Sequence, residues 1–97
     1  MELSSKQRAY LRSLSNDLDV IVHIGKDGIG ENLINTVGDA LEARELIKLS
    51  VLDSCGETPR SAAEALAGAT GATVVATIGR KLILYRESAT RKTIELL

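Results

Sequence analysis

Hydrophobic residues recur at helical spacing in three stretches of the chain and crowd together as in buried strands in four others, with residues that cap, turn or break lying between them. Near the start, Leu11, Leu14 and Leu18 fall at helical intervals beside Tyr10, and Ser4 followed three residues later by Gln7 forms a capping-box pair. This predicts a first helix from Ser5 to about Leu14, broken by Ser15-Asn16-Asp17. Val20 to Ile24 then has the β-branched content of a buried strand. Gly25 and Gly28 mark a tight turn, after which Leu33, Ile34, Val37, Ala40 and Leu41 share one helical face and predict a second helix from Glu31 to about Ala43. Leu46 to Leu52 alternates as a second strand. Thr58 and Pro59 supply the cap and first-position proline of a third helix, running to about Ala69 and ended by Gly71. Thr73 to Ile78 and Leu82 to Arg86 are two further strands, separated by Gly79-Arg80-Lys81 as a hairpin. The tail, residues 87–97, is expected to add a short extended piece at Thr93 to Leu96. The predicted order is αβαβαββ. It implies a single compact α/β domain over residues 1–97, with a mixed four-stranded sheet packed against helices.

Composition narrows the function classes. The 97 residues carry 44% hydrophobic side chains, two tyrosines and no Trp or Phe, so the core is expected to be aliphatic and a nucleic-acid reader built on several aromatic platforms is not expected. One cysteine allows no internal disulfide and fits a reducing compartment. No apolar run approaches the length of a membrane span, and the expected location is the cytoplasm. The net charge of -1 argues, taken alone, against a nucleic-acid partner. Its distribution says more. Lys6, Arg8 and Arg12 gather near the start, Arg80, Lys81, Arg86, Arg91 and Lys92 near the end with only Glu87 among them, and most acids lie between. Arg8 and Arg12 stand one turn apart at the border of the first helix's apolar stripe, where both can point at a partner.

The glycine turn is the principal candidate for chemistry. Backbone N–H groups at such a turn and at the following helix start lack partners, and the helix dipole favours an anion there. Lys26 adds a mobile cation, whereas Glu31 repels a phosphate approaching the helix start. Gly25, Gly28 and Gly30 are spaced G-x-x-G-x-G rather than G-x-G-x-x-G, and no Gly-Lys-Ser/Thr triplet marks a P-loop, so no nucleotide cofactor is expected. His23, the one histidine, is expected to be a packed or hydrogen-bonded strand residue rather than a base or ligand. Cys55, flanked by Asp53 and Glu57, has no second ligand or base near it in sequence, so no catalytic and no metal-binding residues are assigned.

A G-x-x-G turn at a helix start resembles the clamp with which KH domains hold a nucleic-acid backbone. Four spaced motifs extend the comparison along nearly the whole chain: Leu3 to Arg12, Ile24 to Ile29, Ala40 to Lys48 and Ile78 to Arg86 together resemble the YhbY-like family, the stand-alone bacterial form of the CRM domain. The resemblance implies an RNA-binding, non-enzymatic domain similar in fold to the C-terminal domain of a bacterial translation initiation factor. In bacteria it implies association with precursors of the large ribosomal subunit and a role in their assembly. It places RNA contact at Gly25, Lys26, Asp27 and Gly28 with basic surface around them, for which Lys6, Arg8, Arg12, Arg80, Lys81 and Arg86 are the candidates. Two positions depart from the family pattern: Asp27 puts a carboxylate inside the loop, and Gly30 stands where Ser or Thr often caps the helix. The rival expectation is a protein-interaction module docking on a ribosomal protein or assembly factor through the acidic middle, Asp39, Glu42, Glu45 and Glu64, with the glycine turn structural only.

Overall fold

The computed structural model describes residues 2–96. Met1 and Leu97, the outermost residues of the expected domain and tail, lie outside the described residues. The elements are α1 (Ser5–Ser15), β1 (Val20–Ile24), α2 (Glu31–Arg44), β2 (Leu46–Val51), α3 (Pro59–Thr70), β3 (Thr73–Ile78) and β4 (Lys81–Tyr85), in the order the hydrophobic pattern predicts. The caps form as local chemistry requires. Gln7 N–H donates to Ser4 Oγ at 3.1 Å while Ser4 N–H donates to Gln7 Oε1 at 3.0 Å. Thr58 and Ser61 exchange the same pair of bonds at the start of α3. The hairpin is tighter than expected. Gly79 takes a φ of 59°, the left-handed conformation that a two-residue turn needs at its first central position, so Lys81 joins the ladder opposite Ile78 and β4 ends at Tyr85 rather than Arg86.

The strands lie in the order β1-β2-β4-β3, with β1 parallel to β2 and the other pairs antiparallel. Helices cover both faces. Ile47, Leu49, Val51, Leu82 and Leu84 join residues of α2 and α3 in one buried cluster, while Leu46, Ile83 and Tyr85 join Leu11 of α1 in another. Alternation along β4 thus feeds two cores. A one-residue slip in its register would exchange the two sets of side chains, and full burial of each Leu or Ile is worth about 1.5–3 kcal/mol. At the outer edge of the sheet, Arg8 donates from Nη1 to the carbonyl oxygens of Val74 (2.5 Å) and Val75 (2.8 Å), where β3 carries an irregularity in its pairing.

Residues 87–96 contain no strand or helix. They are held by two carboxylates instead. Glu45, fully buried, accepts from the N–H groups of Ser88 (2.7 Å), Thr93 (2.6 Å) and Ile94 (2.8 Å) and from the Thr93 hydroxyl. Glu42 accepts from the hydroxyls of Ser88 and Thr90 and from the N–H groups of Ala89 and Thr90. Ile94 and Leu96 pack beside the Leu11 cluster.

These bonds favour the charged carboxylates. The Thr90 and Ser88 hydroxyls and the Ala89 N–H bring Glu42 down to about 2. Burial pushes Glu45 upward, but its hydrogen bonds outweigh burial and leave it below its ordinary value. Groups that are more acidic when folded stabilise the fold above their unfolded pKa and lose that contribution as the pH falls through the folded one. The melting temperature is therefore expected to fall as pH is lowered from about 4.5 toward 2, with amide exchange at Thr90 and Thr93 accelerating first. A melting temperature that stays flat across that interval contradicts the assignment.

Candidate nucleic-acid interface

Gly25 to Gly28 is a β-turn closed by the Gly28 N–H donating to Gly25 O at 3.0 Å. Gly28 has a φ of 65°, in the left-handed region, whereas Gly25 does not. A Cβ on Gly25 would meet Leu52 Cδ1 and Ser54 Oγ at 3.7 Å, an ordinary contact. Only the second glycine of the turn is thus demanded by backbone conformation. Lys26 and Asp27 are exposed at the tip, with no ion pair or side-chain hydrogen bond among the described residues.

Behind the turn, α2 begins at Gly30 with no side-chain cap, and its first rung is the Ile34 N–H donating to Gly30 O at 3.0 Å. The N–H groups of Glu31, Asn32 and Leu33 have no intrahelical acceptor and face the dipole's positive end outward. Turn, helix start and strand end enclose an open cleft of about 600 Å³ lined by His23, Asp27, Gly28, Glu31 and Asn32 among others. It offers backbone donors to an anion. Its walls also carry two carboxylates, which accept from amino groups.

The register decides which predicted cations lie near this turn. Ile24 pairs with Val51 and Ser50 pairs with Lys81, so the ends of β1 and β2 and the β3–β4 hairpin share one end of the sheet, while Leu46 and Tyr85 mark the other. Arg80 and Lys81 therefore stand at the end that carries Gly25 to Gly28. Arg80 is already engaged there, donating to Val51 O and Leu52 O at 2.9 Å each, with Asp53 3.7 Å away. Arg86 is at the opposite end, donating to Thr70 O (2.7 Å) and Gly38 O (3.0 Å) with Glu42 at 3.7 Å. Arg8 is tied to β3. Lys6, Arg12 and Lys81 are exposed with no ion pair among the described residues. The cations thus divide into arginines that hold backbone carbonyls and side chains that are free.

Other expectations shift. His23 is exposed rather than packed, because it faces away from the α2–α3 core that buries its neighbour Ile24. Cys55 is buried in that core, its Sγ accepting from the Glu57 N–H at 3.4 Å. Of the acidic middle, Glu42 and Glu45 serve the tail, Glu64 pairs with Arg60 at 3.1 Å, and Asp39 remains exposed. Lys48 and Ser50 were not singled out by the sequence, although the alternation Leu46, Lys48, Ser50 places them on one face of β2. Among the described residues, no cluster of His, Cys, Asp or Glu that could hold a metal is found, and no helix is long and apolar enough to cross a membrane.

The family model of the CRS1/YhbY (CRM) domain matches residues 3–86. The chain belongs to this family. Within reach of the CRM proteins it is 46% identical over 94 residues to the "Probable RNA-binding protein YqeI" of Bacillus subtilis, covering 97% of this chain and 98% of that one. It is 37% identical over 90 residues to an "RNA-binding protein" of Haemophilus influenzae, covering 93% and 91%. The solution structure of SAV1595 from Staphylococcus aureus, put forward as an RNA-binding protein, superposes with a TM-score of 0.82 at 46% identity over 99% of this chain and 100% of that one. The CRM match spans α1 through the end of β4 and so includes the turn, the cleft and the hairpin.

Proposed function

We propose that this protein binds RNA without turnover and acts in assembly of the large ribosomal subunit in the cytoplasm, contacting the phosphate backbone with the Gly25 to Gly28 turn. The observation that carries the reading is a solvent-exposed G-x-x-G turn at an uncapped helix start, in a chain whose CRM relatives bear RNA-binding names. The backbone donors of the turn and of α2 meet phosphate oxygens, Lys26 and Lys81 supply mobile charge, and Arg80 contributes the donors its carbonyl contacts leave over. Asp27 and Glu31 oppose phosphate entering the cleft itself, so the phosphates pass along its rim. Ribosomal precursors as the target rest on the family resemblance.

A salt titration of binding to large-subunit ribosomal RNA tests this. Neutralising three phosphates gives a slope of about -2 in log affinity against log salt, at roughly -0.7 per contact for single strands. Lys26→Ala is expected to reduce that slope by about one contact. Affinity indifferent to salt, or co-sedimentation with precursor particles that survives removal of accessible RNA, would overturn the reading in favour of protein docking.

A further inference from the structure

The two faces of the sheet are unequally covered. On one face α2 and α3 bury Ile47, Leu49, Val51, Leu82 and Leu84. On the other, α1 covers Leu46, Val75, Ile83 and Tyr85, at the end away from the glycine turn. Beyond it, the register lines up His23, Ser50, Lys81 and Ile78 in one row across all four strands, and Lys48 stands in the row below, paired with Val20 and Ile83. His23, Lys81 and Ile78 are exposed, and Lys48 and Ser50 are half-buried. His23 also lines the cleft beside Gly25 and Gly28, so row and turn form one surface.

Along the strand rows themselves the charge is one-sided. Neither Lys48, Lys81 nor His23 has an ion pair or side-chain hydrogen bond among the described residues. No strand residue in these rows is acidic, although the chain carries 13 acids against 12 Lys and Arg. The acids lie around the rows rather than in them: Asp27 and Glu31 in the cleft beside His23, Asp17 and Asp19 in a recess they share with Arg44 and Lys48, and others in the tail clamp or in pairs with Arg60 and Lys92. α1 adds a cation at the border. Gln7 and Leu14 line recesses toward Ile94, so Arg12, on the opposite flank of the helix, borders the uncovered half of the sheet. With neighbouring strands 4.7–4.9 Å apart, Lys81 and His23 stand roughly 10 Å from each other.

We propose that this uncovered half-face is a second contact for single-stranded RNA, continuous with the glycine turn. Lys81, Lys48 and Arg12 neutralise successive phosphates, Ile78 gives apolar floor to a ribose or base, and His23 meets a base where the strand turns into the cleft. The inference rests on the RNA-binding reading above and extends its footprint from Lys81, which the turn shares, to Lys48, His23, Ile78 and Arg12.

Binding of fragmented large-subunit ribosomal RNA to Lys48→Ala, His23→Ala and the double variant tests it, with Lys26→Ala on the turn and Arg60→Ala on α3 for comparison. Lys48→Ala is expected to weaken binding roughly three- to tenfold at low salt and to lower the salt slope by about 0.7, while Arg60→Ala leaves both unchanged. The imidazole of the single histidine should shift in NMR spectra when RNA is added. If the Lys48 and His23 variants bind as the unmodified chain does while Lys26→Ala weakens, the half-face is unused and the turn reading stands. If Arg60→Ala weakens binding as much as Lys48→Ala, attraction is diffuse and the proposal falls. If the unmodified chain does not bind the RNA, both readings fall together.

Discussion

Replacing Glu45 with alanine is expected to lower the stability of the fold by about 2–4 kcal/mol, because hydrogen bonds to a charged group are worth about 1.5–3 kcal/mol and several converge here. The melting temperature should drop by roughly 10–25 °C for a domain of this size. Glu45 has a φ of 67° just after α2, a conformation that a glycine adopts without cost and a side chain adopts only under strain. The backbone alone therefore favours glycine. The carboxylate explains why glutamate stands there: its oxygens accept from Ser88, Thr93 and Ile94, which lie 43 to 49 residues further along the chain. Glu45→Gly separates the two effects, since it relieves the strain and removes the acceptor. Thermal melts should show Glu45→Gly as clearly destabilised as well; a more stable glycine variant would mean that the tail contributes little.

The second large effect concerns the turn. Gly28→Asp is expected to reduce affinity for ribosomal RNA more than tenfold, chiefly by setting a second carboxylate beside Asp27, since aspartate, like asparagine, is among the side chains that enter the left-handed region. Space is not the obstacle, because a Cβ at Gly28 meets nothing within 4 Å. Gly28→Asn is the informative partner, as asparagine tolerates the left-handed region and carries no charge. Its affinity should stay within about threefold of the unmodified chain. Equal losses in the two variants, measured by filter binding or anisotropy, would assign the effect to backbone distortion rather than charge; no loss in either would remove the turn from the interface.

Local signals explain what could be read from the chain. Capping at Ser4 and Thr58, the positive φ at Gly79 and the alternation in β4 are each decided within a few residues, so the element order followed from them. The anchorage of the tail was not legible because its partners are distant: the N–H groups of Thr93 and Ile94 go to the side chain of Glu45, 48 and 49 residues earlier. The internal contacts of the arginines were hidden for the same reason. A guanidinium at a helix border or hairpin reads as available charge, but Arg8, Arg80 and Arg86 each reach a carbonyl 16 to 67 residues away. His23 and Lys48 were passed over because a strand's polar face becomes visible only when the extent of α1's cover is known.

The contact between Arg8 and β3 also bears on how the molecules behave when crowded. A sheet grows from molecule to molecule only if each offers two open rims, one to receive a neighbour and one to recruit the next. Here the carbonyls of Val74 and Val75 are occupied and the pairing of β3 is irregular, so this rim is a poor template. Copies of the chain meeting through β1 would close as pairs and stop, which disfavours fibres at high concentration.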